Sequence, residues 1–92
     1  MQSLNKKPQT AAERRHVGRV KVLPCGVCGS HPTDGQPTEA HEIEQGMWWL
    51  AIPLCAGCHR SEHNGLHGRR AIWNVTKKTE LSVLNDTIKA LA

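Results

Sequence analysis

Between Pro53 and Gly68 the chain reads PLCAGCHRSEHNGLHG, which sets Cys55 and Cys58 beside His59, His63 and His67. A second C-x-x-C pair, Cys25 and Cys28, lies upstream in CGVCG. Four soft thiolates in two chelating pairs are the donor set that tetrahedral zinc takes. Gly26 and Gly29 let the first loop bend so that its backbone amides point at the sulfurs. Two other uses of such pairs fit less well. A redox C-x-x-C normally opens a helix in a larger thioredoxin-like fold, and this chain has too few residues and no βαβ pattern. Disulfides belong to exported proteins, and no charged leader with an apolar run and cleavage site is visible, nor a stretch long enough to span a membrane. The expected compartment is the cytoplasm, with no membrane partner.

If zinc takes all four cysteines, the histidines are in excess. His59 directly follows a ligand, so its backbone is held rigidly. Either His63, one helical turn on, or His67, beyond Gly65, can bring a second imidazole to the same point. His41 sits on a strand that the following helix packs across. Imidazoles converging from a strand and a helix make a site for a second divalent cation, with open positions for water and phosphate.

The net charge of +4 suits a polyanionic partner. Lys6, Lys7, Arg14, Arg15, Arg19 and Lys21 precede the first cysteine with only Glu13 opposing them, and Arg60, Arg69 and Arg70 surround the histidines. Glu39, Glu42 and Glu44 collect between the two groups. A basic arm and basic residues near a metal site fit phosphate contact, with a solvated basic face as the plainer reading of the arm alone.

These residues need elements to hold them. Residues 1 to 9 read as a mobile tail. TAAERRH forms a short helix with Thr10 as its N-cap, ending near Gly18, and RVKVL alternates as a strand. CGVCGSHPTDGQP reads as a knuckle and loop. TEAHEIEQGMWWLAIPLC reads as a hairpin turning near Gln45 and Gly46, with Glu39, His41 and Ile43 on one face and Ala40, Glu42 and Glu44 on the other. On that strand Trp48 and Trp49 face opposite sides. One of them joins Trp73 in the core, and the other is free to stack on a base or meet a partner. A short helix then carries Cys58, His59 and His63, NGLHG interrupts it, and RRAIWN forms a second piece. Leu81, Leu84, Ile88 and Leu91 recur at helical spacing behind Thr79, in a helix without evident chemistry. Ninety-two residues bury a small core, so a structural metal is a natural supplement.

The order of knuckle, hairpin and helix is the treble-clef arrangement. The stretch EAHEIEQGMWWLAIPLCAGCHRSEHNGLHGRRAIW, preceded by CGVCG, resembles the HNH, or ββα-metal, nucleases built on a treble clef. Within that group it is similar to the small phage recombination-enhancement (Ref-type) nucleases and related phage HNH proteins. The likeness covers about residues 22 to 75 and rests on IPLC-x-x-CH together with NG-x-HG. It implies a small α+β domain over residues 21–92, with a basic arm over 1–20 and a C-terminal amphipathic helix.

By that resemblance Cys25, Cys28, Cys55 and Cys58 hold structural zinc. His59 ligates a catalytic cation (Mg2+, Mn2+ or Zn2+), with His67 as the second ligand and His63 as its competitor. His41 matches the first histidine of the family's strand motif and implies a general base. Glu42 stands where many members have a second histidine, as an alternative ligand or base, and WWLAIP replaces a segment that often carries an asparagine. Arg14, Arg15, Arg60, Arg69 and Arg70 are the expected phosphate contacts. The implied reaction is hydrolysis of DNA phosphodiesters, and a recombinase filament is a possible partner. The rival is a non-catalytic zinc module that binds nucleic acid or protein, set apart by lacking a second cation.

Overall fold

The computed structural model describes residues 8–33 and 35–92. Of the expected tail only Pro8 and Gln9 fall within that range; Lys6 and Lys7 lie outside the described residues.

Helix α1 spans Ala11–Lys21. The Thr10 hydroxyl accepts from the Glu13 N–H at 3.1 Å, and the Glu13 carboxylate accepts from the Thr10 N–H at 2.7 Å. This reciprocal cap contributes about 1 kcal/mol. The helix does not stop at Gly18, and the expected strand RVKVL does not form. Val17 and Val20, three residues apart on one helical face, are both buried, while Val22 is 72% exposed. Gly18 faces open space, so it neither packs nor breaks the helix. Five alternating residues fit both periods, and burial of the Val17–Val20 pair selects the helical one.

Strands β1 (Glu39–Glu42) and β2 (Ala51–Leu54) pair antiparallel, with Glu39 opposite Leu54, Ala40 opposite Pro53, His41 opposite Ile52 and Glu42 opposite Ala51. Every residue of β2 is buried, and α1, α2 (Ala56–Arg60) and α4 (Glu80–Leu91) all pack on it. Pro53 is tolerated because each strand of a two-stranded sheet has an edge. Its carbonyl accepts from the Gly26 N–H at 2.8 Å and ties the first cysteine loop to the hairpin.

The hairpin is shorter than expected. Trp48–Leu50 form a 3₁₀ turn in place of a strand, and the Ile43 N–H donates to the Leu50 carbonyl at 3.2 Å across its base. The helix α1, standing where a strand was expected, supplies the surface on which this turn packs. Trp48 is consequently half-buried and Trp49 is 54% exposed, whereas Trp73 of α3 (Ala71–Thr76) is buried as expected.

Helix α4 begins at Thr79, whose hydroxyl accepts from the Ser82 N–H at 3.0 Å. Its buried residues are Val83, Leu84 and Thr87, while Leu81 is 70% and Ile88 55% exposed, which corrects the expected Leu81–Ile88 face. The misplacement comes from Thr87. Its hydroxyl donates to the Val83 carbonyl at 2.7 Å, so a polar residue is buried at little cost and an apolar count overlooks it. Together these elements make a small α+β fold, in which one core joins Ile52, Leu54, Leu66, Trp73, Val83 and Leu84 to Cys25 and Cys58. Among the described residues no helix is long and apolar enough to cross a membrane.

Candidate metal centres

Cys25, Cys28, Cys55 and Cys58 meet with their sulfurs all within 4.8 Å of one another. All four are free thiols, and Cys28 Sγ lies 3.7 Å from Cys55 Sγ. Sulfurs about 2.3 Å from one tetrahedral ion stand about 3.8 Å apart, so the spacing fits zinc and is far from a disulfide bond. Backbone amides support the sulfurs. The Val27 N–H donates to Cys25 Sγ and the Cys58 N–H to Cys55 Sγ, each at 3.4 Å. Burial pushes the Cys25 and Cys58 thiols up. At Cys28 burial works in the same direction but is outweighed by hydrogen bonds with Ser30 and the neighbouring sulfurs, which bring that thiol down to about 7. The cluster is therefore a four-thiol arrangement able to hold a structural metal such as zinc.

A second cluster begins one residue after Cys58. His41 from β1, His59 from α2 and His67 from the loop beyond α2 each bring a ring nitrogen within 4.8 Å of the others. Ring centroids are 5.0 Å apart for His41 and His59, 5.2 Å for His41 and His67, and 4.9 Å for His59 and His67. The loop is folded back tightly. The Leu66 N–H donates to the Cys58 carbonyl at 2.8 Å and the His67 N–H to the His59 carbonyl at 3.3 Å, so the two imidazoles leave adjacent backbone. Only glycine permits this. A Cβ on Gly65 would collide with the Ser61 carbonyl oxygen, and one on Gly68 with that of Glu62.

Two carboxylates hold the rings. Glu39 Oε1 is 2.7 Å from His59 Nδ1, and Glu80 Oε2 is 3.0 Å from His41 Nε2. Arg60 donates to both oxygens of Glu39 at 2.7 to 3.0 Å. Arg60 first, and His59 after it, hold the Glu39 carboxyl below its usual range against the opposing effect of burial. An ionised Glu39 fixes the hydrogen of His59 on Nδ1 and leaves Nε2 with its lone pair. That atom faces His67 Nε2 at 3.1 Å. Two nitrogens on one tetrahedral ion stand about 3.3 Å apart, so the pair fits a shared cation. Burial, followed by repulsion from His59 and His41, lowers the His67 pKa and favours the neutral form that binds metal.

Of the other expected site residues, His63 is exposed and outside the cluster, because α2 ends at Arg60 and the chain turns before reaching it. Glu42 is half-buried on β1, on the opposite face from His41, and is not in the cluster. Arg60 is engaged by Glu39, Arg69 lies 3.9 Å from Glu62, and Arg70 donates from Nε to the Leu66 carbonyl at 2.8 Å. On α1, Arg14 donates to the Gln9 carbonyl at 2.9 Å and Arg15 is exposed.

Sequence reasoning did not assign Glu39 or Glu80. Glu39 was within reach of it, since strand periodicity already puts it on the face of His41. Glu80 carries no local signal; only the folding of α4 against the hairpin brings it to β1. No family model, curated protein or solved structure matches this chain, so the clusters stand on their geometry and donor chemistry.

Proposed function

We propose that this chain is a metal-dependent DNA endonuclease of the HNH type, its zinc knuckle, hairpin and helix α2 forming a treble-clef ββα unit. The supporting observation is the convergence of His41, His59 and His67 from strand, helix and loop. His59 and His67 are the proposed ligands of a divalent cation, which would supply Lewis-acid stabilisation of the scissile phosphate and its leaving oxygen.

The remaining roles belong to the protein's own groups. His41 takes the proton from the attacking water as general base. Glu80, accepting from His41 Nε2–H, fixes the tautomer in which Nδ1 is the basic nitrogen. Arg60 does not contact phosphate in this reading; it holds Glu39, which orients His59. Arg69 and Arg70 remain the proposed phosphate contacts beside the cluster, with Arg14 and Arg15 on α1.

A second reading of His41 follows from geometry. Its ring lies as close to the other two imidazoles as they lie to each other, which equally suits a third ligand. Cation titration of a His41→Ala protein separates the two: a base leaves affinity intact, a ligand does not.

The deciding experiment is nicking of supercoiled DNA and cleavage of single-stranded DNA with magnesium, manganese or zinc added. It compares wild type with His41→Ala and His59→Ala proteins that retain structural zinc. Cleavage by wild type that both substitutions abolish is the expected result. No cleavage with any ion, alone or with a recombinase filament supplied, would replace the nuclease with a non-catalytic zinc module.

A further inference from the structure

One aromatic and basic pocket lies apart from both metal clusters. It is lined by Ala12, Arg15, His16 and Arg19 of α1 and by Trp49 of the 3₁₀ turn. Trp49 is 54% exposed, although an indole in a chain this small is usually a core residue. It is held all the same. Its ring lies 4.8 Å from the His16 imidazole, tilted by 39°, and His16 Nε2 is buried without a hydrogen-bond partner among the described residues. Arg15 and Arg19, one helical turn apart, put two guanidinium groups on the same wall. Arg19 uses one nitrogen on the Leu91 carbonyl at 2.8 Å, and Arg15 is exposed. Among the described residues no acidic side chain lines the pocket.

A pre-set aromatic surface flanked by two arginines matches an unstacked nucleotide: the base lies on the indole and its phosphate meets the arginines. A double helix keeps its base faces covered and cannot use Trp49 in this way. We propose that the Trp49–His16–Arg15–Arg19 pocket is a subsite for single-stranded DNA, in which one base stacks on Trp49 and an adjacent phosphate is held by Arg15 and Arg19. His16 supports the indole from behind. The position is apt. Trp49 is three residues before Ile52, the cross-strand partner of His41, so chain geometry keeps the two backbones within about 16 Å. A strand bound here runs within a few nucleotides of the histidine cluster. The choice of DNA rests on the nuclease reading above; the stacking geometry does not.

The test uses the full zinc-loaded chain in a His59→Ala background, so that binding is read without cleavage. The probes are an oligothymidylate of about ten nucleotides, a duplex of equal length and poly-glutamate, followed by tryptophan emission and anisotropy. Oligothymidylate is expected to quench emission. Trp49→Ala weakens its binding roughly tenfold or more, Trp49→Phe restores most of the loss, and duplex binding changes little. Arg15→Ala lowers the salt slope for the single strand by about 0.7, the contribution of one phosphate.

Unchanged oligothymidylate affinity in Trp49→Ala, or equal weakening for duplex and single strand, would overturn the proposal. Binding of poly-glutamate without oligothymidylate would overturn it in favour of an acidic protein partner. If Trp49→Ala loses helix content, Arg15→Glu decides the matter, since unchanged single-strand affinity there is equally fatal. Plasmid nicking by wild type reads the nuclease proposal separately. A chain that nicks but ignores oligothymidylate loses only this subsite, and one that binds but never cuts loses only the nuclease.

Discussion

Glu39 meets His59 Nδ1 at 2.7 Å and accepts from Arg60 through both oxygens, so a single carboxylate orients a proposed ligand and holds a neighbouring cation. Glu39→Gln keeps the shape but removes the charge that fixes the His59 tautomer. Affinity for the second cation is expected to fall about 10- to 100-fold by calorimetric titration of zinc-loaded protein, while zinc content stays unchanged. An unaltered affinity would remove Glu39 from the site. Glu80→Gln is the counterpart at His41: with His41 as base, the cleavage rate falls and cation affinity holds. The thiols give a pH dependence whose sign is fixed. Burial raises the Cys25 and Cys58 pKa values, so both are protonated at neutral pH, and zinc must displace those protons. Apparent zinc affinity should therefore rise with pH and fall on acidification, with proton release seen by calorimetry in buffers of differing ionisation enthalpy. Flat affinity between about pH 6 and 8 would contradict the raised thiols. At this scale His41, His59 and the cysteines were legible as candidates, because ligand chemistry is a matter of residue type and spacing. His63 against His67 was not, since the choice turns on where α2 stops.

The element that decides that choice is the loop from Ser61 to Arg70. Leu66 and His67 return to the Cys58 and His59 carbonyls, and Gly65 and Gly68 have no room for a Cβ. Gly65→Ala is expected to open the loop and abolish binding of the proposed second cation, while the four-cysteine cluster still takes zinc. Cobalt absorption, whose thiolate bands report the cysteines alone, separates the two sites. Retention of second-cation binding in Gly65→Ala would show that the loop does not set His67. Helix α1 teaches a different lesson about legibility. Its start was readable because Thr10 and Glu13 cap it through contacts three residues apart. Its end was not, since Gly18 breaks a helix only where the backbone gains by leaving it, and burial of Val20 beyond it keeps the helix going.

Across the whole molecule, β2 is the common floor, with α1, α2 and α4 packed on it and the Gly26 amide bonded to its Pro53 carbonyl. These long-range packings carry no short-range sequence signal, which is why the choice of Trp49 over Trp48 as the exposed indole, and the Glu80 contact, became visible only in the folded chain. Cys25 and Cys58 belong to the same core as Ile52 and Leu54, so the cysteine cluster and the apolar core form one cooperative unit. Withdrawal of the proposed zinc by a strong chelator is expected to lower the melting temperature sharply and to abolish the far-ultraviolet helical signal, followed by circular dichroism. A chain that stays fully helical after demonstrated metal loss would show that the core alone suffices. Cys58 and His59 are adjacent, and Trp73 Nε1 donates to the Cys58 carbonyl at 2.9 Å just behind them. In time, as opposed to space, this adjacency is an order of assembly. If capture of Cys58 by the proposed zinc is what sets His59, the two proposed metals load in sequence, and an apo chain offered the second cation first is expected to leave it in solution.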